Sequence, residues 1–134
     1  MKIGILAVQG DFAEHARALT GIGVEPVLVR LPGDLSGVSG LILPGGESTT
    51  MRRLIERWGL RQPILDLAAS GAPLFGTCAG MIVLSKEIVG GEEPILPLLD
   101  VTVERNAGVR LKRRVDIKPG CAEVVTGHDR RDSP

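Results

Sequence analysis

The sequence predicts an α/β fold, a mostly parallel sheet with helices on both faces, and three observations carry that prediction. Nearly continuous apolar runs, such as residues 2–8 (KIGILAV), alternate with stretches whose apolar residues recur at the helical period. Unbroken runs of this kind mark parallel strands covered on both sides, and strands separated by helices are joined by crossovers that lay those helices on the sheet. Glycine-bearing turns at 9–11, 44–48 and 76–80 follow three of the runs. In open sheets of this class ligands bind at the carboxyl ends of the strands, where these three turns fall.

Residues 2–8 form a central strand that ends at Gln9-Gly10-Asp11. Asp11 is placed to cap a helix, with Glu14 three residues later completing a capping-box pattern. That helix runs to about Leu19 and stops at Thr20-Gly21. Residues 24–31 form the next strand, and Pro26 near its start marks a sheet edge, since proline cannot donate to a ladder. Gly21 and Gly23 make no dinucleotide fingerprint, because they precede a strand and lack the third glycine.

Residues 32–40 make a turn-rich connection and 41–43 a third short strand. Pro44-Gly45-Gly46-Glu47-Ser48-Thr49-Thr50 then leads into a helix that reaches about Trp58. This loop lacks the Gly-Lys-Ser/Thr ending of a phosphate loop. With Ser48 as N-cap, its two glycines can present bare backbone N–H groups to a ligand carbonyl or carboxylate, or can simply make a tight turn before a capped helix. A further helix covers about 63–70 and ends at Gly71.

Residues 73–81 (PLFGTCAGM) hold the chemistry. A short apolar run reads as a buried strand, a Gly-x-Cys-x-Gly turn follows, and 81–88 has the apolar period of a helix. A cysteine at a strand-to-helix turn is the thiol form of the nucleophile elbow. Such a turn brings strand and helix almost into contact, so Gly76, Ala79 and Gly80 supply the small neighbours it needs. The helix N-terminus would stabilise a thiolate on Cys78, and its N–H groups an oxyanion. The plain alternative is a buried cysteine packed as a small hydrophobe.

Composition narrows the setting. A chain of 134 residues with a 43% hydrophobic fraction suits one globular domain that buries roughly two-thirds of its unfolded surface. Sixteen basic and sixteen acidic residues balance, so bulk charge points to neither nucleic acid nor membrane. No apolar run approaches spanning length, and the N-terminus enters a strand instead of a signal peptide. The two cysteines, Cys78 and Cys121, lack metal-ligand spacing, and a reduced, cytoplasmic location is expected.

Residues 7–15 (AVQGDFAEH), 41–54 (LILPGGESTTMRRL), 75–81 (FGTCAGM) and 103–107 (VERNA) together resemble the family of glutaminase subunits of pyridoxal 5'-phosphate synthase. These are triad-type (class I) glutamine amidotransferases of flavodoxin-like α/β fold. The resemblance implies that Cys78 attacks the side-chain amide of L-glutamine and forms a thioester, with no cofactor and no metal. It implies that Gly46, Glu47 and Ser48 line the glutamine site and supply oxyanion-hole backbone. Arg105 would hold the substrate α-carboxylate, a task suited to its planar fork of donors. The released ammonia would pass to a separate synthase subunit that builds pyridoxal phosphate. Gln9 and the first helix, with His15, would lie near that subunit, whose docking organises the oxyanion hole.

On this reading the resemblance stops at Ala107, dividing the chain into a glutaminase part, 1–107, and a divergent basic tail, 108–134, outside the family fold. The family's Phe-Gly-Arg-Gln stretch and its later His-Pro-Glu element, which carries the triad histidine and glutamate, are not among the 134 residues. His15 belongs to the first-helix motif, and His128 sits in Gly-His-Asp-Arg-Arg without strand context. A cysteine nucleophile needs a base and an acid, so the 134 residues by themselves are expected to show little glutaminase activity. The preferred reading is the family enzyme with its fold incomplete at the C-terminus, truncated or frame-shifted after Ala107, and a catalytically silent module that docks on the synthase is the alternative. An elbow-cysteine hydrolase of another kind fits less well, having no use for VERNA or LPGGEST. The tail carries seven of the sixteen basic residues and no aromatic, and its strand-like piece at 121–126 is too short to settle a β-region alone. It is expected not to complete the domain and to be largely disordered or loosely attached.

Overall fold

The computed structural model describes residues 1–8, 10, 12–77, 79–89, 93–104, 108–110 and 123–126. In chain order these form β1 (Lys2–Leu6), α1 (Phe12–Gly21), β2 (Glu25–Val29), a 3-10 turn (Pro32–Leu35), β3 (Gly40–Leu43), α2 (Ser48–Arg57), α3 (Arg61–Ala69), β4 (Leu74–Thr77), α4 (Ala79–Leu84), β5 (Ser85–Val89), β6 (Leu99–Glu104), β7 (Gly108–Arg110) and β8 (Glu123–Thr126). The main sheet has the order β2-β1-β3-β4-β8, and every pair in it is parallel. A smaller sheet has the order β5-β6-β7, its first pair parallel and its second antiparallel.

Alternation along the strands sends neighbouring side chains to opposite faces. Leu41 and Leu43 on β3 and Leu74 on β4 are buried and join one cluster with Met51 and Ile55 of α2, Ile64 of α3, and Met81 and Leu84 of α4. Phe75, on the other face of β4, meets the ring of His15 edge-on, with centroids 6.4 Å apart and planes at 77°. Helix α1 therefore covers the second face, though none of its own residues is buried. Strand β2 is an edge, as Pro26 predicts, and Pro26 sits in register with Ile3 of β1.

Two expectations are corrected. The helix expected over 81–88 ends at Leu84, and Ser85–Val89 is strand β5. The Ser85 hydroxyl donates to the Met81 carbonyl at 2.8 Å, a side-chain bond made inside the last helical turn. The Leu84 carbonyl accepts from the N–H of Leu98 at 3.1 Å, and pairing of Ser85–Val89 with β6 then decides the conformation. Tertiary pairing overrides a periodicity that two turns of sequence also satisfy.

The second correction concerns the stretch expected to be loosely attached. Residues Glu123–Thr126 pair in parallel with Leu74–Thr77 and become the fifth strand of the main sheet. Gly108–Arg110 pair with β6. A short apolar segment with little tendency of its own acquires its ladder from an edge already in place. The rest of 111–134 lies outside the described residues.

Candidate active site at the carboxyl edge of the sheet

The order β2-β1-β3 reverses direction between β1 and β3, and a crevice at such a switch point is where doubly wound sheets place their ligands. The chain brings three turns together there. Gly10, in the turn after β1, has φ +104°, and a Cβ on it would overlap the carbonyl oxygen of Gly45 in the turn after β3. Gly80, in the first turn of α4, lies so close to β3 that a Cβ would overlap the Leu43 carbonyl oxygen. A Cβ at Gly76 would come within 2.9 Å of the Gly80 backbone and of Leu84. Gly76 and Gly80, two of the small residues read as an elbow signature, are thus required by close approach of backbone.

Glu47 caps α2. Its Oε1 accepts from the Thr50 N–H at 2.7 Å and from the Thr50 hydroxyl at 2.7 Å, and its Oε2 accepts from the Thr49 N–H at 3.2 Å. The sequence expectation of Ser48 as N-cap is corrected by one residue, because the longer Glu47 side chain curls back over the orphan N–H groups of the first turn. The Thr50 hydroxyl and N–H, followed by the Thr49 N–H, pull the Glu47 carboxyl down to about 2 from an ordinary 4.5. The capped state then has its full stability above pH 4.5 and loses this contribution as pH falls towards about 2. An NMR titration following the Thr50 amide is expected to give a midpoint near 2, and a midpoint near the ordinary value would contradict the cap.

Ser48 instead takes the first helical position, on the same face as Met51 and Ile55, and is buried at 5% exposure. Its hydroxyl has no hydrogen-bond partner among the described residues. Gly46 lies between the Gly10–Gly45 contact and the Glu47 cap. His15, by its contact with Phe75, is on the α1 side of β4. Gly46, Glu47 and Ser48 are therefore brought beside the elbow turn, since Leu43, against which Gly80 packs, is three residues before Gly46. Cys78, Arg105, Gln9, Asp11, Cys121 and His128 lie outside the described residues.

Sequence reading missed Thr50, whose signal was a Glu followed three residues later by a hydroxyl residue at a helix start. It also missed an open groove of ≈ 390 Å³ lined by Ala7, Val8, Arg30, Leu31 and Trp58. The Arg30 guanidinium lies over the Phe12 ring, 5.7 Å from its centre, and no periodicity foretold that meeting. Among the described residues no group of three His, Cys, Asp or Glu could hold a metal ion, and no helix is long and apolar enough to cross a membrane.

A family model described as the SNO glutamine amidotransferase family matches residues 5–119, so the match continues past Ala107. The pyridoxal 5'-phosphate synthase subunit PdxT of Geobacillus kaustophilus (strain HTA426) is 59% identical over 127 residues, covering 95% of this chain and 65% of that protein. A protein of the same name from Deinococcus radiodurans is 54% identical over 112 residues, or 80% of this chain and 57% of that protein. A crystal structure of a glutamine amidotransferase aligns with a TM-score of 0.74 at 46% identity, over 84% of this chain and 59% of that chain. The chain thus spans a little under two-thirds of the length of the curated relatives it matches.

Proposed function

Because this chain belongs to the SNO glutamine amidotransferase family, we propose that it carries the nucleophile and oxyanion-binding part of a glutaminase that feeds ammonia to a pyridoxal 5'-phosphate synthase subunit. Its flavodoxin-like class I glutamine amidotransferase fold sets the chemistry at the carboxyl edge of the sheet. The observation that carries the proposal is the meeting of the three turns, Gly10 on Gly45 and Gly80 on Leu43.

In this reading the Cys78 thiolate attacks the side-chain carboxamide carbon of L-glutamine. Backbone N–H groups around Gly46, Glu47 and Ser48 stabilise the oxyanion of the tetrahedral intermediate. Collapse of that intermediate breaks the C–N bond, the departing nitrogen takes a proton and leaves as ammonia, and a thioester remains for water to hydrolyse to glutamate. Arg105 would pair with the α-carboxylate. Gln9 and α1 would face the synthase subunit. The edge-on contact of His15 with Phe75 supports a seating role for that residue, with exposed Glu14 and Arg17 beside it. The location expected for such a complex is the cytoplasm.

Two measurements test the proposal. Calorimetry with the chain is expected to show binding of L-glutamine and not of L-asparagine, and gel filtration is expected to show co-migration with a purified synthase subunit. Joining these residues to the C-terminal third of a relative, which supplies the His-Pro-Glu element, is expected to give ammonia release that rises when the synthase subunit is added. Absence of both glutamine binding and co-migration would sink the proposal.

A further inference from the structure

We propose that Glu47 is a positioning residue for this site: through Thr49 and Thr50 its carboxylate fixes how residues 44–47 enter α2, so that it aims the loop's backbone donors instead of contacting glutamine. The inference rests on the reading of the loop as part of the glutamine site. Both carboxylate oxygens are turned onto the start of α2, with three hydrogen bonds at 2.7, 2.7 and 3.2 Å. A carboxylate has about four lone-pair positions, and the protein itself occupies at least three of them. A substrate ammonium would have to compete with these donors for the carboxylate.

The geometry upstream adds to the case. Gly45 lies directly against the Gly10 backbone, which leaves no room for a side chain on Gly10 between the two turns. Glu47, two residues on, is held by Thr50 in an extended conformation at φ −109° and ψ 116°. The loop is therefore pinned on either side of Gly46, whose φ of +149° is glycine territory. Conformational freedom is confined to the peptides flanking one residue, and these are the peptides whose N–H groups the proposed chemistry uses. Preorganisation of that kind is what makes oxyanion donors effective.

The test uses Glu47→Ala, Glu47→Gln, Thr50→Val and the double variant Glu47→Ala/Thr50→Val. Amide exchange at residues 45–50 and glutamine affinity are measured on each. Glu47→Ala is expected to speed exchange of the Thr49 and Thr50 amides about tenfold, as loss of a cap does, and to weaken glutamine binding by a similar factor. Glu47→Gln retains an acceptor oxygen and is expected to restore most of both. Thr50→Val is expected to reproduce part of the loss, and the double variant to be no worse than Glu47→Ala, since the two residues act as one unit.

Direct contact would give the opposite pattern. Glu47→Gln would then bind glutamine as poorly as Glu47→Ala, while Thr50→Val would bind normally; that result overturns the proposal. If the unmodified chain binds no glutamine, the reading of the site fails, yet the exchange data still decide the clamp. Unchanged exchange at Thr49 and Thr50 in Glu47→Ala would refute it whatever the ligand.

Discussion

Gly80→Ala is expected to destabilise the chain by about 3 kcal/mol or more. The added Cβ would overlap the Leu43 carbonyl oxygen and come within 2.7 Å of its carbonyl carbon and 2.9 Å of its Cβ. Leu43 ends β3, which is hydrogen-bonded on both sides by β1 and β4, so the obstacle is backbone that cannot step aside. Against a typical total of about 5–15 kcal/mol, a loss of this size brings many domains to the edge of unfolding. Gly21→Ala is the control: nothing lies within 4 Å of a Cβ there, and its φ is not in the left-handed region. Urea unfolding of both variants, read at constant m-value, measures the difference. A Gly80→Ala protein within about 1 kcal/mol of the parent would mean that the elbow does not pack against β3 as described.

On the proposed function, Cys78→Ala is expected to lower glutamine hydrolysis about 10⁴-fold or more once the chain is joined to a His-Pro-Glu element and supplied with a synthase subunit. Removal of a nucleophile leaves only binding and oxyanion stabilisation, which is why such losses are large and not additive with loss of the base. Alanine adds no bulk at a turn already built from small residues, so folding should survive. Intact-mass spectrometry of the parent protein quenched in acid during turnover should reveal the thioester, and Cys121→Ala should leave both the adduct and the rate in place. Limiting iodoacetamide is expected to label Cys78 before Cys121. A Cys78→Ala protein that still releases ammonia at the parent's rate would remove the cysteine from the mechanism.

The parts of the fold legible in the sequence are those where one residue type answers one physical need. Continuous apolar runs gave β1, β3 and β4, Pro26 gave the edge, and the small residues around position 78 anticipated the close approach of Gly76 and Gly80 to their neighbours. Errors arose where local and long-range signals compete. Residues 85–88 continue a helical period, yet the hydroxyl of Ser85 and the partner strand β6 turn them into sheet. Ser48 is the more common cap, yet Glu47 reaches two N–H groups and a hydroxyl together, which a serine side chain cannot. Strand β8 shows in the sequence only as a strand-like piece at 121–126, too short to settle a β-region before β4 offers it an edge. The approach of α1 to β4 through His15 and Phe75 is a tertiary event between residues sixty apart in number, and no local spacing encodes it.

The placement of β8 beside β4 has a consequence for a chain still emerging from the ribosome. The partners of β4 and β8, such as Leu74 and Glu123, are farther apart in sequence than those of any other strand pair among the described residues. Loop entropy barely penalises this, because doubling a loop costs only about 0.6 kcal/mol. Synthesis matters more: at roughly 5–20 residues per second, β8 appears about 2–10 s after β4. For those seconds β1 to β4 are present with β4 as a bare parallel edge, offering its unpaired backbone groups to any strand that arrives first.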